Sequence, residues 1–382
     1  MEVTTTEPRL TPIRASCLVY LAFGMPVAMI GVAWPTLRED LGRSDGDLGL
    51  LVLAYGLGRL ATSASSGALL GRRRYGVAAA LTLVGLAGGG VWVATTPSWG
   101  WLVTAVALIG VLSGVLDSLG ARWLAVAASV SQAGLAAGSY GVGATIGPIV
   151  LAVSDSVAVG FLTGAVVALV AAVVVVQPSI PWPAALALHV EAPVVDDDAP
   201  TARSLLVQPA VLISLGLFAA FVSLEVTTGG WLAAVLEDAR GLSGRLAGLS
   251  VGGFWAGITA GRLLLGRLQL PDRALLVSVG VLLACFSLLA VAPAALVLPI
   301  AVVAGVALAP QFPTLLAHTG DRVGVSAAGR VSGWQLLAAN IGGTGLAALT
   351  GLIVDATGPA APLAVLLAIT VSGGVLLVAS QR

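Results

Sequence analysis

Twelve long apolar runs, separated by short polar segments, organise the chain. Within each run the apolar residues are continuous rather than alternating, which is typical of membrane-spanning helices and not of the strands of a membrane barrel. Each run has about 18 to 24 residues, enough for a helix to cross the hydrocarbon core of a bilayer. We predict spanning helices at residues 15–35, 48–70, 76–96, 100–121, 132–153, 157–177, 209–231, 246–266, 274–292, 296–316, 332–353 and 361–379.

The longest polar segment divides these runs into two groups of six. It covers residues 178–207, is rich in proline and contains the acidic run Asp196–Asp198. This composition favours a solvated loop over a metal or partner site. We therefore predict a six-helix bundle at residues 1–177, a cytoplasmic linker at 178–207 and a second six-helix bundle at 208–382.

The two groups repeat each other when the sequence is compared with itself at a shift of 195 residues. Gly110 then meets Gly305, and the pair Gly71-Arg72 meets Gly266-Arg267. Parallel copies of six helices are expected of transporters whose halves rock about a central site. The predicted fold class is an all-α membrane protein of twelve transmembrane helices in a pseudo-symmetric 6+6 arrangement.

Composition supports a membrane protein and excludes several other classes. Hydrophobic residues make up 58% of the chain and charged residues 9%, against about 25% charged residues in soluble domains. The net charge is zero and basic residues form no patch for nucleic acid. Cys17 and Cys285 lie inside apolar runs, so no disulfide framework is expected. The partners we expect are the lipid bilayer and a small-molecule solute, with the protein as a monomer.

Arginine fixes the predicted orientation, because basic residues concentrate on the cytoplasmic side of a membrane protein. With the N-terminus inside, most arginines fall on the cytoplasmic side. The outer side receives Arg38, Arg43, Arg240 and Arg245. The first run lacks a small-residue cleavage site after it and is long enough to cross, so we expect no cleaved signal peptide. We predict a multi-pass protein of the plasma (inner) membrane with both termini cytoplasmic.

Several motifs resemble those of the major facilitator superfamily. The basic turn "GALLGRRRYG" (67–76) is similar to the signature loop of that superfamily, with Gly71 in the place of the usual Asp. The segments 224–268, 305–317 and 141–148 more closely resemble the fucose–galactose–glucose:proton symporter group and its fungal and bacterial relatives. This resemblance implies the major facilitator fold and a proton-coupled transporter with an acid in the seventh helix, at Glu225.

Three positions depart from the sugar symporter pattern. Gly31 lies near the position of an acid that the fucose symporter carries in its first helix. Ala121 stands where an Asn is expected, and Ala137 where the relatives commonly have a His. Because amide and imidazole groups usually hold sugars, these departures argue against a fucose-like solute.

Three charged residues inside apolar runs are the first candidates for function. A charge inside the bilayer is costly, so it usually faces a cavity or a partner. Glu225 is interpreted as a proton-coupling or substrate-binding group, with a structural acid as the alternative. Asp117 is either a second proton-coupling site or a partner of Arg122. Arg59 binds a substrate carboxylate or holds Asp117 in an ion pair, and the alternative is an arginine that reaches a polar interface.

Neutral polar, aromatic and helix-breaking residues extend this set. Amides inside the membrane should face inward, and Trp or Tyr gives a cavity wall with a hydrogen-bonding edge, although ordinary packing is an equal alternative for each. These candidate substrate-binding residues are Gln311, Gln335, Asn340, Trp255, Trp334 and Tyr140. Arginines near the cytoplasmic ends and prolines that bend helices are candidates for gating. They are Arg72, Arg262, Arg267, Pro148, Pro310 and Pro313.

The sequence therefore predicts a secondary active transporter of a small polar organic solute, sugar-like or an organic anion. We expect alternating access and coupling to a proton or other cation gradient, with no cofactor and no metal. No catalytic constellation or phosphate loop is present in the sequence, which argues against an enzyme or an ATP-driven pump. The alternatives are a proton-driven exporter of drugs or metabolites and, less favoured, a membrane receptor that transports nothing.

Overall fold

The computed structural model describes residues 11–70, 75–96, 98–182, 201–265 and 271–381. Every regular element in these ranges is helical. The helices before the linker are α1 Pro12–Leu41, α2 Leu48–Leu70, α3 Tyr75–Thr95, α4 Trp99–Ala127, α5 Val130–Ser154 and α6 Val157–Val175. Those that follow are α7 Ala202–Leu206, α8 Pro209–Ala234, α9 Gly244–Leu265, α10 Asp272–Val291, α11 Ala294–Leu308, α12 Gln311–Ala317, α13 Thr319–Val323, α14 Val325–Thr357 and α15 Ala361–Ala379.

The predicted spans match these helices, with differences at their ends and one break. The run predicted at 296–316 consists of two helices, α11 and α12, separated by a turn at 309–310. Pro310 explains the break, because proline lacks the backbone N–H and its ring clashes with the preceding turn. The short helices α7 and α13 were not predicted. Helix α14 is longer than the run predicted at 332–353, since its polar first turns lie outside the apolar part.

Ten helical stretches in the described ranges are long and apolar enough to cross a membrane. Helices α2 and α9 complete the twelve predicted spans but are not among these ten. Helix α9 carries Arg245, Arg262 and a row of glycines, which lower its apolar character. The helix that brings Arg262 into the bundle is thus less apolar than the ten candidate spans.

The same helix pairs form in both halves of the chain. Helix α1 packs on α5 as α8 packs on α14, and α2 packs on α4 as α9 packs on α11. The remaining equivalent pairs are α3 with α6 and α10 with α15. The halves meet where α5 packs on α9 and α2 on α14. This repeated packing agrees with the repeat in the sequence, whereas the exact domain boundaries stay a prediction.

Glycine permits the closest of these contacts at equivalent positions of the repeat. A methyl group on Gly110 of α4 would collide with the backbone of Tyr55 in α2. A methyl group on Gly305 of α11 would collide with the backbone of Phe254 in α9 in the same way. Small residues let helix backbones approach in membranes, where packing rather than hydrophobicity drives association. These glycines therefore fix α2 and α9, and the side chains they carry, within their own halves.

The two ends of the bundle differ. We call the end where α1 begins and α15 ends the terminus face, and the other end the opposite face. At the opposite face Arg38 forms an ion pair across the halves, with Nη2 2.8 Å from Oδ1 of Asp238, and also pairs with Asp45. Asp355 of the second half accepts a hydrogen bond from the backbone N–H of Gly46, at 2.9 Å. Polar contacts between the halves therefore close the opposite face.

Candidate functional site

A cavity of about 1030 Å³ lies between the halves. Its walls come from α1, α2, α4, α5, α8, α9, α12 and α14, and they extend to Ser131 in the first turn of α5 at the terminus face. The walls are mostly apolar, with a few polar groups. The predicted residues on these walls are Arg59, Asp117, Tyr140, Glu225, Trp255, Arg262, Pro313 and Asn340. Cavities of this size and character suit small organic ligands.

The first ion pair of the cavity joins two helices of the first half. Nη2 of Arg59 on α2 lies 2.7 Å from Oδ2 of Asp117 on α4. Gly114, one turn before Asp117, packs against the backbone of Arg59, so the two helices are in close contact beside the pair. The side chains of Arg59 and Asp117 are 27% and 38% exposed. The sequence left both Arg122 and Arg59 open as partners of Asp117, and the structure shows the pair with Arg59.

The second ion pair joins two helices of the second half. Nη2 of Arg262 on α9 lies 2.6 Å from Oε2 of Glu225 on α8. Glu225 is only 17% exposed, and Arg262 is 34% exposed. Arg262 was predicted as a gating residue near the cytoplasmic end, whereas its side chain lies on the cavity wall and pairs with the partly buried acid. A charge-assisted contact of this kind offsets part of the cost of burying the carboxylate.

Tyr140 on α5 lies near both ion pairs. It is close enough to interact electrostatically with Arg59, Asp117 and Glu225. Its ring packs at 5.2 Å from the ring of Phe23 on α1, which holds it against the first half. Tyr140 and both ion pairs thus line one cavity, with the phenol contributed by the first half.

Three predicted substrate-binding residues lie away from the cavity. Gln311 is fully buried and donates to the carbonyl of Leu275, at 3.2 Å. Gln335 is also fully buried, and its amide binds Ser214 on α8 and Thr319 on α13. Trp334 packs on a small cluster that contains Val331 and Leu205. The amide nitrogens of both glutamines are thus bonded between helices rather than to a solute in the cavity.

The candidate gating residues divide in three ways. Arg72 and Arg267 lie outside the residues that the structure describes. Pro313 on α12 lines the cavity, and Pro310 separates α11 from α12. Pro148 lies inside α5, which continues through it. A gating role stays a prediction for all of them and for Arg262.

Sequence reasoning missed several residues of the cavity wall, of which Tyr55 is the most informative. Tyr55 on α2 lines the cavity and is 8% exposed. It precedes Arg59 by four residues, and residues at this spacing share a helix face. This spacing is the sequence signal that could have identified Tyr55 as a cavity residue. Phe312, Thr259 and Thr344 also line the cavity, but nothing in their local sequence distinguishes them from packed residues.

Gly31 on α1 also lines the cavity, and its surroundings explain one departure from the sugar symporter pattern. A methyl group on Gly31 would collide with the backbone carbonyl of Gly230 on α8. Backbone cannot move aside as a flexible side chain does, so no acid fits at this position while the opposite face is closed. The carboxylates of the described cavity wall are therefore Asp117 and Glu225.

The fold is shared with solved transporters. A bacterial homologue of the human lysosomal transporter Spinster, in an inward-facing and unoccupied conformation, matches with a TM-score of 0.69 and 15% identity, over 96% of this chain and 94% of that one. Its inward-facing and occupied form matches with a TM-score of 0.66 and 16% identity, over the same shares. A mutant of the nucleoside transporter NupG matches with a TM-score of 0.75 and 15% identity, over 96% and 98%.

Sequence comparison places the chain in a family. A search of curated proteins found no match. The family model described as the Major Facilitator Superfamily matches residues 16–345, which is most of the chain. Together with the helical fold and the cavity between two repeated halves, this match shows that the chain belongs to the Major Facilitator Superfamily and is a membrane transporter rather than an enzyme.

Proposed function

We propose that this transporter moves a small polar organic solute, sugar-like or anionic, by alternating access and with coupling to protons. The observation that carries the proposal is that each half holds one carboxylate–arginine pair on the wall of the same cavity. A carboxylate can take up a proton, whereas a guanidinium stays charged at any physiological pH. Each pair can therefore exist with or without a proton, and only the carboxylate changes.

In this proposal, proton coupling arises because Glu225 and an oxygen of the solute compete for Arg262. While Glu225 is ionised, it holds Arg262 at 2.6 Å. When Glu225 takes up a proton, the guanidinium is released to bind an oxygen of the solute. Loss of the proton re-forms the pair and expels that oxygen. Arg59 and Asp117 can act in the same way in the first half, and the resemblance of residues 224–268 to proton symporters supports the assignment to Glu225.

The sidedness of the proposal rests on charge and on the closed opposite face. Most arginines of the sequence fall on the side of the termini when the predicted spans are counted, which favours a cytoplasmic position for both termini in the plasma membrane. The opposite face is closed by Arg38–Asp238 and by Asp355 with Gly46. In this assignment the cavity is open to the cytoplasm and closed to the outside, which is one of the two states that alternating access requires.

A proton-flux measurement tests the proposal. Purified protein is placed in liposomes that contain a pH-sensitive dye, and D-glucose, D-gluconate or uridine is added outside. These three probes represent sugars, organic anions and nucleosides. We expect at least one of them to drive proton movement in the wild type and none to do so in Glu225→Gln. The matched control is Glu39→Gln, an exposed acid outside the cavity. Normal proton flux in Glu225→Gln would refute the coupling role.

A proton-driven exporter of amphipathic compounds is the second candidate. The size of the cavity and its apolar residues, among them Val27, Ile30, Val52 and Phe312, favour it. Cells that express the wild type should then lose preloaded ethidium faster than cells that express Glu225→Gln. Equal rates in the two would remove this candidate and leave the first.

A further inference from the structure

Most polar groups on the cavity wall already have partners within the protein. Arg59 and Arg262 bind the two carboxylates. The amide of Asn340 donates to the carbonyl of Leu336 at 2.8 Å, and the hydroxyl of Thr259 donates to its own helix at 2.8 Å. Each of these groups therefore already uses part of its hydrogen-bonding capacity within the protein.

Two buried side chains on the wall are exceptions. The indole N–H of Trp255 and the hydroxyl of Tyr55 have no hydrogen-bond partner among the residues that the structure describes. Trp255 is 5% exposed and Tyr55 is 8% exposed. Buried donors are usually paired, and of the unpaired neutral donors among the described residues these two lie on the cavity wall, where a solute can reach them. An indole N–H can only donate, so a group that pairs with it must be an acceptor.

The two donors occupy related places in the two halves. Tyr55 lies on α2 four residues before Arg59, and Trp255 lies on the equivalent helix α9 seven residues before Arg262. Both spacings put the donor and the arginine on one face of their helix. Each half therefore presents one guanidinium and one neutral donor to the cavity, one or two turns apart.

The neighbours of the two donors also matter for a ligand. The indole nitrogen of Trp255 lies beside Gly229, another wall residue, where an added methyl group would come within 3.2 Å of it. The hydroxyl of Tyr55 is close enough to Arg59 and Tyr140 to interact with them electrostatically. An acceptor held by Tyr55 would thus lie near the guanidinium of Arg59 and the phenol of Tyr140.

From these contacts we infer that Tyr55 and Trp255 form a subsite for the carboxylate of a monocarboxylic acid with an apolar body. A carboxylate supplies acceptor oxygens for neutral donors and for arginine. The apolar walls accept the rest of the molecule. The two arginines and two carboxylates of the wall balance in charge, so a bound monoanion leaves the cavity neutral when one wall carboxylate takes up a proton.

The inference deepens the proposed function by naming the solute class, and it rests on that function for the role of the cavity. It can be tested by binding alone, with no pH gradient. Benzoate, hexanoate and indole-3-acetate are compared with benzamide, hexanamide and indole-3-acetamide, by thermal shift and calorimetry on the full-length protein. Each pair has the same body, and only the acid carries a charged acceptor. We expect at least one acid to bind and its amide to bind about tenfold more weakly or not at all.

Four variants locate the site. Tyr55→Phe and Trp255→Phe each remove one donor, and we expect each to weaken binding of the acid about tenfold. Tyr75→Phe and Trp123→Phe are matched controls, because they remove buried, unpaired donors that do not line the cavity. Their binding should equal that of the wild type. Tyr55→Phe, which removes a single oxygen atom, decides the result if Trp255→Phe fails to fold.

Three results would overturn the inference. They are no binding of any acid, equal binding of acids and amides, and wild-type binding by Tyr55→Phe. Carboxylate binding at the subsite without proton flux in the transport measurement would leave the subsite and refute the coupling. The reverse result, proton flux driven by a neutral sugar with no carboxylate binding, would leave the coupling and refute the subsite.

Discussion

The ion pairs of the cavity and the ion pair of the opposite face differ in which parts of the chain they join. Arg59–Asp117 lies within the first half and Glu225–Arg262 lies within the second, whereas Arg38–Asp238 connects the two halves. A contact within one half persists when the halves rock against each other. A contact between halves must break. The cavity pairs can therefore respond to protons and solute without depending on how the halves are placed. The Arg38–Asp238 pair instead stabilises the conformation that is closed at the opposite face.

The two cavity pairs also differ from each other. Asp117 is 38% exposed, and its helix packs closely on the helix of Arg59. Glu225 is 17% exposed, and its partner helix meets α8 less extensively. The more buried carboxylate depends more on its arginine, because water cannot replace the guanidinium as well. We therefore expect the Glu225 pair to contribute more than the Asp117 pair to both stability and transport.

The largest effect should come from Arg262→Ala, which leaves the partly buried Glu225 without its partner. We expect transport to fall at least about thirtyfold and the protein to lose about 2 kcal/mol of stability, less than for a fully buried pair because Arg262 is partly exposed. Uptake in proteoliposomes and thermal unfolding measure the two quantities. The control is Arg262→Gln combined with Glu225→Gln, which removes the unpaired charge and should recover stability but not coupling. Wild-type stability in Arg262→Ala would contradict the comparison.

Arg59→Ala should have a smaller effect. Asp117 is exposed enough for water to solvate it when Arg59 is removed, so we expect a loss of about 1 kcal/mol and about a fivefold decrease in transport. The same two measurements apply, with Arg59→Lys as the variant that keeps the charge. A larger loss of stability than in Arg262→Ala would reverse the order of the two pairs.

Asp238→Asn should change the conformational equilibrium rather than the cavity. Weakening the pair with Arg38 by about 1 kcal/mol shifts the equilibrium about fivefold toward a state that is open at the opposite face. A cysteine in place of Val226 on the cavity wall, with Cys17 and Cys285 replaced, reports this state. It should react faster with an impermeant thiol reagent added at the opposite face. Asp47→Asn, which affects a pair within the first half, should leave that rate unchanged.

The smallest effect should come from Arg43→Ala. Arg43 pairs with Asp47 at 2.9 Å within the first half, and the two side chains are 35% and 21% exposed, much as in the cavity pairs. It lies outside the cavity, so we expect about 0.5 kcal/mol of stability to be lost and transport to be unchanged. A transport defect in Arg43→Ala would show that exposure and pairing, rather than position on the cavity wall, determine the importance of an ion pair.

The fold was predictable because the apolar runs are long and continuous, and because the repeat aligns glycines that pack in the same way in both halves. The break between α11 and α12 was not predicted, although Pro310 lies at it. The pair Arg59–Asp117 could be proposed from sequence, since both charges lie inside spans. The pair Glu225–Arg262 could not, because the depth of a side chain depends on helix tilt and on where a long arginine side chain extends.

The polar residues show why the rest of the site was not predictable. Gln311, Gln335 and Asn340 look alike in sequence, as amides in apolar helices. The first two are bonded between helices, and only Asn340 lies on the cavity wall. Which of them faces the cavity depends on the rotation of each helix about its axis, and a helix that is apolar nearly all round does not encode that rotation in its periodicity. Tyr55 is different, because its four-residue spacing from Arg59 places both on one helix face and could have identified it.

The close contact of Gly31 with Gly230 limits how many protons one transport cycle can move, and therefore how strongly it can concentrate a solute. Because no acid fits at position 31 while the opposite face is closed, the described cavity wall offers two carboxylates, Asp117 and Glu225, as carriers of protons. A neutral solute moved with both protons could be concentrated about a hundredfold per pH unit, and with one proton about tenfold. The ratio of accumulated to external solute at a known pH difference would therefore count how many of the two acids take part.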